Sequence, residues 1–226
     1  MEHLLKNPVF NALLSGDAGL AFGNQQVKYF DEEVSPFAGF EEGNDRGFDE
    51  LFQLLPAGRK ILYATPQLIK EPTGWQLLNE IKGLQFILDT NTNVNNGPFE
   101  PVPLKKENVK EMVQLAELTK PGPFGKRTID FGHYYGIFQT GKLAAMTGQR
   151  LHISPYTEVS AVCTHPDHTG KGFAGALVEH QIGIICDDGQ IPFLHVRADN
   201  TRAIALYKRL GFRISRPMNF YFLKRR

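Results

Sequence analysis

Residues 158–212 constrain the fold more than any other stretch of the chain. Residues 158–164, EVSAVCT, alternate and are rich in small and β-branched side chains, the pattern of a strand. A proline-bearing loop follows at 165–169, and the turn GKGFAG then opens a helical stretch over about residues 172–185. A further strand is predicted over 191–197 and a further helix over 201–210, ended by Gly211. Two strands joined through a helix run parallel in one sheet, so the fold class is α/β. Gly170, Gly172 and Gly175 leave backbone N–H groups uncovered by side chains, and the next helix adds partial positive charge at its start. Such a turn is suited to hold a phosphate group.

The rest of the chain supplies strands and helices around this unit. With 226 residues, 42% of them hydrophobic, there is material for one large domain or two small ones. Residues 19–30 read as one or two short strands, 32–47 as a loop dense in Pro, Gly and acid, and 60–64 as a strand. Between the last two, Phe48, Leu51, Phe52 and Leu55 have helical spacing, stopped by Pro56-Ala57-Gly58. Residues 75–88 fit strand or helix, and the period-two Leu84, Phe86 and Leu88 favour strand at the end. Residues 91–103, polar and with three prolines, are the clearest linker, so a boundary is predicted there between domains at 1–95 and 98–226. Beyond it, Asn108 with Glu111 makes a capping-box-like helix start, and strands at 134–138 and 143–151 flank a short polar turn.

Charge narrows the partners. Twenty-five basic and 24 acidic residues leave a net charge of +1, so nucleic acid and anionic membrane are not expected partners. Cys163 and Cys186 do not have disulfide-framework spacing, no secretory signal is visible, and no stretch approaches a membrane span. A soluble cytoplasmic protein is expected, with a homodimer left open.

Two motifs then stand in order. The loop Thr169-Gly170-Lys171-Gly172-Phe173-Ala174 and, some forty residues on, NTRAIALYKRLGF together resemble the core of the GCN5-related N-acetyltransferase (GNAT) superfamily. That family writes its acetyl-CoA pyrophosphate loop as Arg or Gln, two residues, Gly, one residue, then Gly or Ala, and Thr169 departs at the first position. The resemblance covers a little over half the chain. It implies a mixed, mostly antiparallel α+β sheet flanked by helices, preceded by a smaller α/β domain of unknown role, one reading of which is a degenerate acetyltransferase half. It also implies that the strands at 158–164 and 191–197 splay apart to admit the pantetheine arm. Acetyl-CoA is then the co-substrate, held by Val162, Cys163 and Thr164 at the strand end, by Thr169, Gly170, Lys171, Gly172, Phe173 and Ala174 in the turn, and by Asn200, with no metal.

Within the same resemblance Tyr207 is the general acid toward the CoA sulfur, and Glu158 is a base acting on the amine through water. A main-chain N–H of residues 160–164 serves as oxyanion donor. Residues 122–132 lie over the acceptor, a small amine or amino acid, and residues 1–95 are placed to close one side of its pocket. Each residue also has a plainer reading: Tyr207 in the core, Glu158 at an exposed strand end, Lys171 as a solvated loop lysine and Asn200 as a helix N-cap.

Other chemistries fit less well. GKGFAG also satisfies a dinucleotide fingerprint with Asp199 as ribose-binding acid, but residues 165–169 intervene after the strand and only 27 residues follow Asp199. Cys163, His165, Asp167 and His168 are metal-ligand types without a second cluster, and Cys163 with His165 is a poor case for an acyl-cysteine. His195 reads as a core histidine and His133 as a neighbour of the acceptor pocket. The alternative function is a CoA-binding sensor or scaffold without catalysis, motivated by Thr169.

Overall fold

A computed structural model describes residues 2–89 and 99–226. The chain enters through α1 (Pro8–Leu14), where Pro8 stands at the helix start and Val9, Phe10, Ala12 and Leu13 are buried. Next come β1 (Ala21–Gly23), β2 (Val27–Phe30) and β3 (Ala38–Phe40), a small antiparallel sheet of its own. The predicted loop at 32–47 thus contains a strand. Helix α2 (Gly47–Leu54) follows, then β4 (Lys60–Thr65) and the long β5 (Trp75–Leu88), a strand throughout.

Residues 91–98 of the predicted linker lie outside the described residues, and Val102–Pro103 form the edge strand β6. Helix α3 (Val109–Thr119) comes next, then β7 (Tyr135–Gln139), β8 (Lys142–Ile153) and β9 (Tyr156–Thr164). Thr140 and Gly141, both at positive φ, make the two-residue turn between β7 and β8, and a primed hairpin turn requires that backbone. Helix α4 (Phe173–Asp187), β10 (Ile191–Arg197), α5 (Thr201–Arg209) and β11 (Phe212–Arg225) close the chain.

The eight-stranded sheet runs β4-β11-β5-β10-β9-β8-β7-β6. Among the eight described strands of this sheet only β9 and β10 pair in parallel, so the sheet is mixed and mostly antiparallel, as the resemblance implied. The expected domain division does not match this sheet. β5 lies between β10 and β11, and β4 pairs β11, so strands on both sides of 91–103 share one sheet. The largest core cluster likewise mixes Leu5, Val9 and Phe30 with Met112, Phe193 and Phe220. A polar linker reports local chain chemistry, whereas strand order is a long-range property. The capping box is corrected too: Asn108 accepts from the Lys105 N–H, and the Glu111 carboxylate accepts from the Leu143 N–H of β8 at 3.0 Å.

Candidate active site

The site begins where two strands part company. β9 and β10 pair only at Ile191 with Tyr156, Pro192 with Thr157 and Phe193 with Glu158. Beyond that, β10 stays on β5 as far as Arg197 while β9 stays on β8 as far as Thr164. The gap between them is a cavity of about 760 Å³, large enough for an extended cofactor-sized ligand. A bulge deforms β9 here: the register steps from Gly148–Ser160 to Met146–Cys163, which sets Ala161 and Val162 against Thr147 alone. Ala161 takes φ +53°, a strained conformation for a residue with a side chain, of the kind that gathers at functional sites.

Most of the predicted residues meet in this cavity. Val162, Cys163 and Thr164 line it from β9, and the Thr164 hydroxyl is buried without a hydrogen-bond partner among the described residues. Thr169, Gly170, Gly172, Phe173 and Ala174 line it from the turn and α4, and Asn200 and Tyr207 from the opposite wall. Gly170 and Gly172 adopt φ +82° and +87°, which residues bearing a Cβ avoid. Gly172 occupies the N-cap of α4 and offers no capping side chain, so the first-turn amides are left to point outward. Thr169 does not cap α4 either, because its hydroxyl donates to the Pro166 carbonyl at 3.0 Å. Asn200 caps α5, its side chain accepting from the Ala203 N–H at 3.1 Å while also lining the cavity.

Lys171 departs from its predicted place. Its Nζ lies 2.9 Å from His168 Nδ1, and it does not line the cavity. The cations on the wall include Arg202 and Arg209 of α5, which the sequence does not single out, with Lys120, Arg150, and Arg197, the last already paired bidentately to Asp199. Seven residues apart, Arg202 and Arg209 share one helix face, but on an exposed amphipathic helix such a pair resembles any solvated face.

Tyr207 packs between Phe86 and Phe212 and is 6% exposed. Burial, helped by nearby Cys163, pushes its phenol well above the ordinary range, so the proton stays on oxygen. The Cys163 thiol is pushed up to about 11, mainly by burial, and this disfavours a covalent acyl-cysteine.

Glu158 is not the exposed strand-end carboxylate of the sequence reading. It is 1% exposed; Arg150 Nε donates to its Oε2 at 2.8 Å and Arg150 Nη2 to its Oε1 at 2.9 Å. His195 Nδ1 sits 2.7 Å from the same Oε1, and His195 Nε2 is 3.0 Å from Gln85 Nε2. Burial alone would raise the Glu158 pKa, but Arg150 and His195 outweigh it and hold the carboxyl down to about 2. Glu158 lines the large cavity, but a carboxylate so engaged is a poor proton acceptor, which disfavours the expected base acting through water. It anchors Arg150, and His195 is a satisfied buried histidine as expected.

This pairing has a pH signature. The folded pKa is depressed below the ordinary 4.5, so its stabilisation is complete above about pH 4.5 and is lost as pH falls toward 2. By linkage the amount is on the order of 3 kcal/mol. Urea titrations across that window are expected to show a shallower pH dependence for Glu158→Gln than for the unaltered protein, and a lower midpoint at pH 7 because Arg150 loses its counter-charge. Superimposable pH dependences would show that the pair contributes nothing.

Beside the bulge lies a second cavity of about 10 Å³, bounded by Pro121, Phe124, Thr128, Tyr134, Arg150 and Ala161 among others. The loop over it is the predicted acceptor segment, and the N-terminal part holds it down: the Thr128 hydroxyl donates to Val34 O at 2.7 Å and the Arg127 N–H to Glu33 O at 3.1 Å. His133 does not line either cavity; its carbonyl accepts from Gln181 Nε2 at 2.6 Å.

Known proteins share this fold. Residues 134–221 match the family described as FR47-like protein. A GNAT-family protein from Novosphingobium aromaticivorans superposes with a TM-score of 0.92 at 33% identity, over 99% of this chain and 99% of that one. The chain belongs to the GNAT family. Among curated relatives, this GNAT protein is 35% identical over 89 residues to the [ribosomal protein bS18]-alanine N-acetyltransferase of Escherichia coli K12, covering 39% of this chain and 57% of that enzyme. It is also 35% identical over 81 residues to the mycothiol acetyltransferase of Mycolicibacterium gilvum, covering 33% of this chain and 27% of that protein. The chain therefore spans little more than half of the first relative and about a quarter of the second.

Proposed function

We propose that this GNAT protein is an acetyl-CoA-dependent N-acetyltransferase that moves the acetyl group directly to the amine of a small molecule or amino acid. The observation that carries the reading is the three-pair limit of the β9–β10 ladder, which leaves a wedge with a glycine turn and a helix start facing into it. The residues present fit the co-substrate. The buried Thr164 hydroxyl, without a partner among the described residues, lies in the wall where a pantetheine amide would pass, and a buried polar group of this kind calls for a partner. The amides of Phe173 and Ala174 would hold the diphosphate, with Arg202 and Arg209 adding charge across the cleft.

The residues then divide the chemistry. A main-chain N–H at the Ala161–Val162 bulge, where two residues oppose one, is the oxyanion donor, preorganised by the fold. The amine enters neutral, its nitrogen bonds the thioester carbon, and the carbon–sulfur bond breaks. Tyr207, kept protonated by burial, offers its hydroxyl to the leaving sulfur. The proton that leaves nitrogen replaces the one Tyr207 gives to sulfur, which restores the phenol, so no net proton enters or leaves the site and the reaction does not require Glu158 to act as a strong base.

Thiol release from acetyl-CoA, followed with a panel of amines, tests the proposal. Turnover that saturates in both reactants is expected. Saturable acetyl-CoA binding with no turnover on any amine would favour a sensor or scaffold instead.

A further inference from the structure

Acetyl transfer as described makes no use of the small cavity beside the bulge. Its volume of about 10 Å³ accommodates a single water-sized atom. Hydrogen-bond donors converge on it. The Tyr134 side chain is 2% exposed, lines the cavity and has a hydroxyl with no partner among the described residues. Arg150 gives Nε and Nη2 to Glu158, leaves Nη1 without a hydrogen-bond partner among the described residues, and is steadied by the Phe37 ring 4.7 Å from its guanidinium carbon. The nearby Thr128 hydroxyl is already engaged with Val34 O and the Gly125 N–H.

A guanidinium donates and cannot accept, so the atom that fits between Arg150 and Tyr134 is an acceptor oxygen rather than an ammonium nitrogen. Glu158 offers no seat for a cation here, because it lines the large cavity and not the small one. The small cavity shares Arg150, Ser160 and Ala161 with the large one, so an oxygen held in it stands within one residue's width of the bulge where the thioester would react.

We propose that Tyr134 and Arg150 bind one carboxylate oxygen of the acceptor, which is therefore an amine carrying a carboxylate a short distance away, as in an amino acid. This rests on the transferase reading above and names its acceptor class. A charge-assisted bond to a buried guanidinium favours a carboxylate over a neutral carbonyl.

The test compares each of the twenty protein amino acids with its amide and its decarboxylated amine in the thiol-release assay. At least one amino acid is expected to exceed its own amide and decarboxylated amine by about tenfold or more in kcat/KM, the loss that accompanies removal of a hydrogen bond to a charged group. Arg150 variants would strand Glu158 in the core, so Tyr134→Phe is the informative substitution: it removes one oxygen and is expected to narrow that ratio severalfold. Equal kcat/KM across the three compounds, or a ratio unmoved by Tyr134→Phe, overturns the proposal. Calorimetric titration with N-acetyl amino acids and their amides reads the subsite without acetyl-CoA. No thiol release with any amine, together with tighter binding of the N-acetyl amino acid than of its amide, would remove the transferase reading and keep the carboxylate subsite; no difference in the titration as well overturns both.

Discussion

Replacing Gly172 by glutamate is expected to weaken CoA binding by about 100-fold, the equivalent of about 3 kcal/mol, as befits a like charge placed against a phosphate. The residue caps α4 at φ +87°, and among the described residues a Cβ there would meet only the edge of Phe99 at 3.7 Å, an ordinary contact. Packing is therefore not what forbids a side chain. The obstacles are the left-handed backbone, costing about 1 kcal/mol for an L-residue, and a carboxylate at the positive end of the helix where the diphosphate is proposed to sit. Gly172→Ala separates them: it carries the backbone cost without the charge and is expected to lose stability while keeping most of the CoA affinity. CoA affinity unchanged in Gly172→Glu would remove the turn from the binding site.

The second large effect is on turnover. Tyr207→Phe is expected to lower kcat about 100-fold, the lower end of what a positioned proton donor contributes, with acetyl-CoA affinity nearly retained. The ring is held by Phe86 and Phe212, and phenylalanine fills the same space, so the substitution isolates the hydroxyl. Affinity is kept because the bond to sulfur strengthens only as the thiolate forms. Equal kcat would take Tyr207 out of the mechanism and return it to the plainer reading of a core tyrosine.

The sequence was most informative where local pattern and structure coincide. The alternation at 158–164, the positive-φ glycines at 170 and 172 and the cap at Asn200 are each written in a few neighbouring residues, and β9, the turn and α5 form where those residues predict. What it could not carry was partnership across the sheet. Glu158 reads as an ordinary strand-start carboxylate until the β8–β9 register sets Arg150 directly opposite it. The same holds for β5, which is ambiguous over 75–88 by itself and becomes a central strand because β11 returns between it and β4. Tyr134 reads as the first residue of a strand; its buried hydroxyl, without a partner among the described residues, depends on the loop at 121–128, which segment 31–35 pins in place.

Calorimetric titration of the unaltered protein with CoA and with pantetheine, which lacks the diphosphate and nucleotide, tests the central claim most directly. If the bend at the start of α4 seats the diphosphate, CoA binds at least about 100-fold more tightly than pantetheine, since charge-assisted bonds to several amides and two arginines are lost together. Equal affinity for the two would contradict the account.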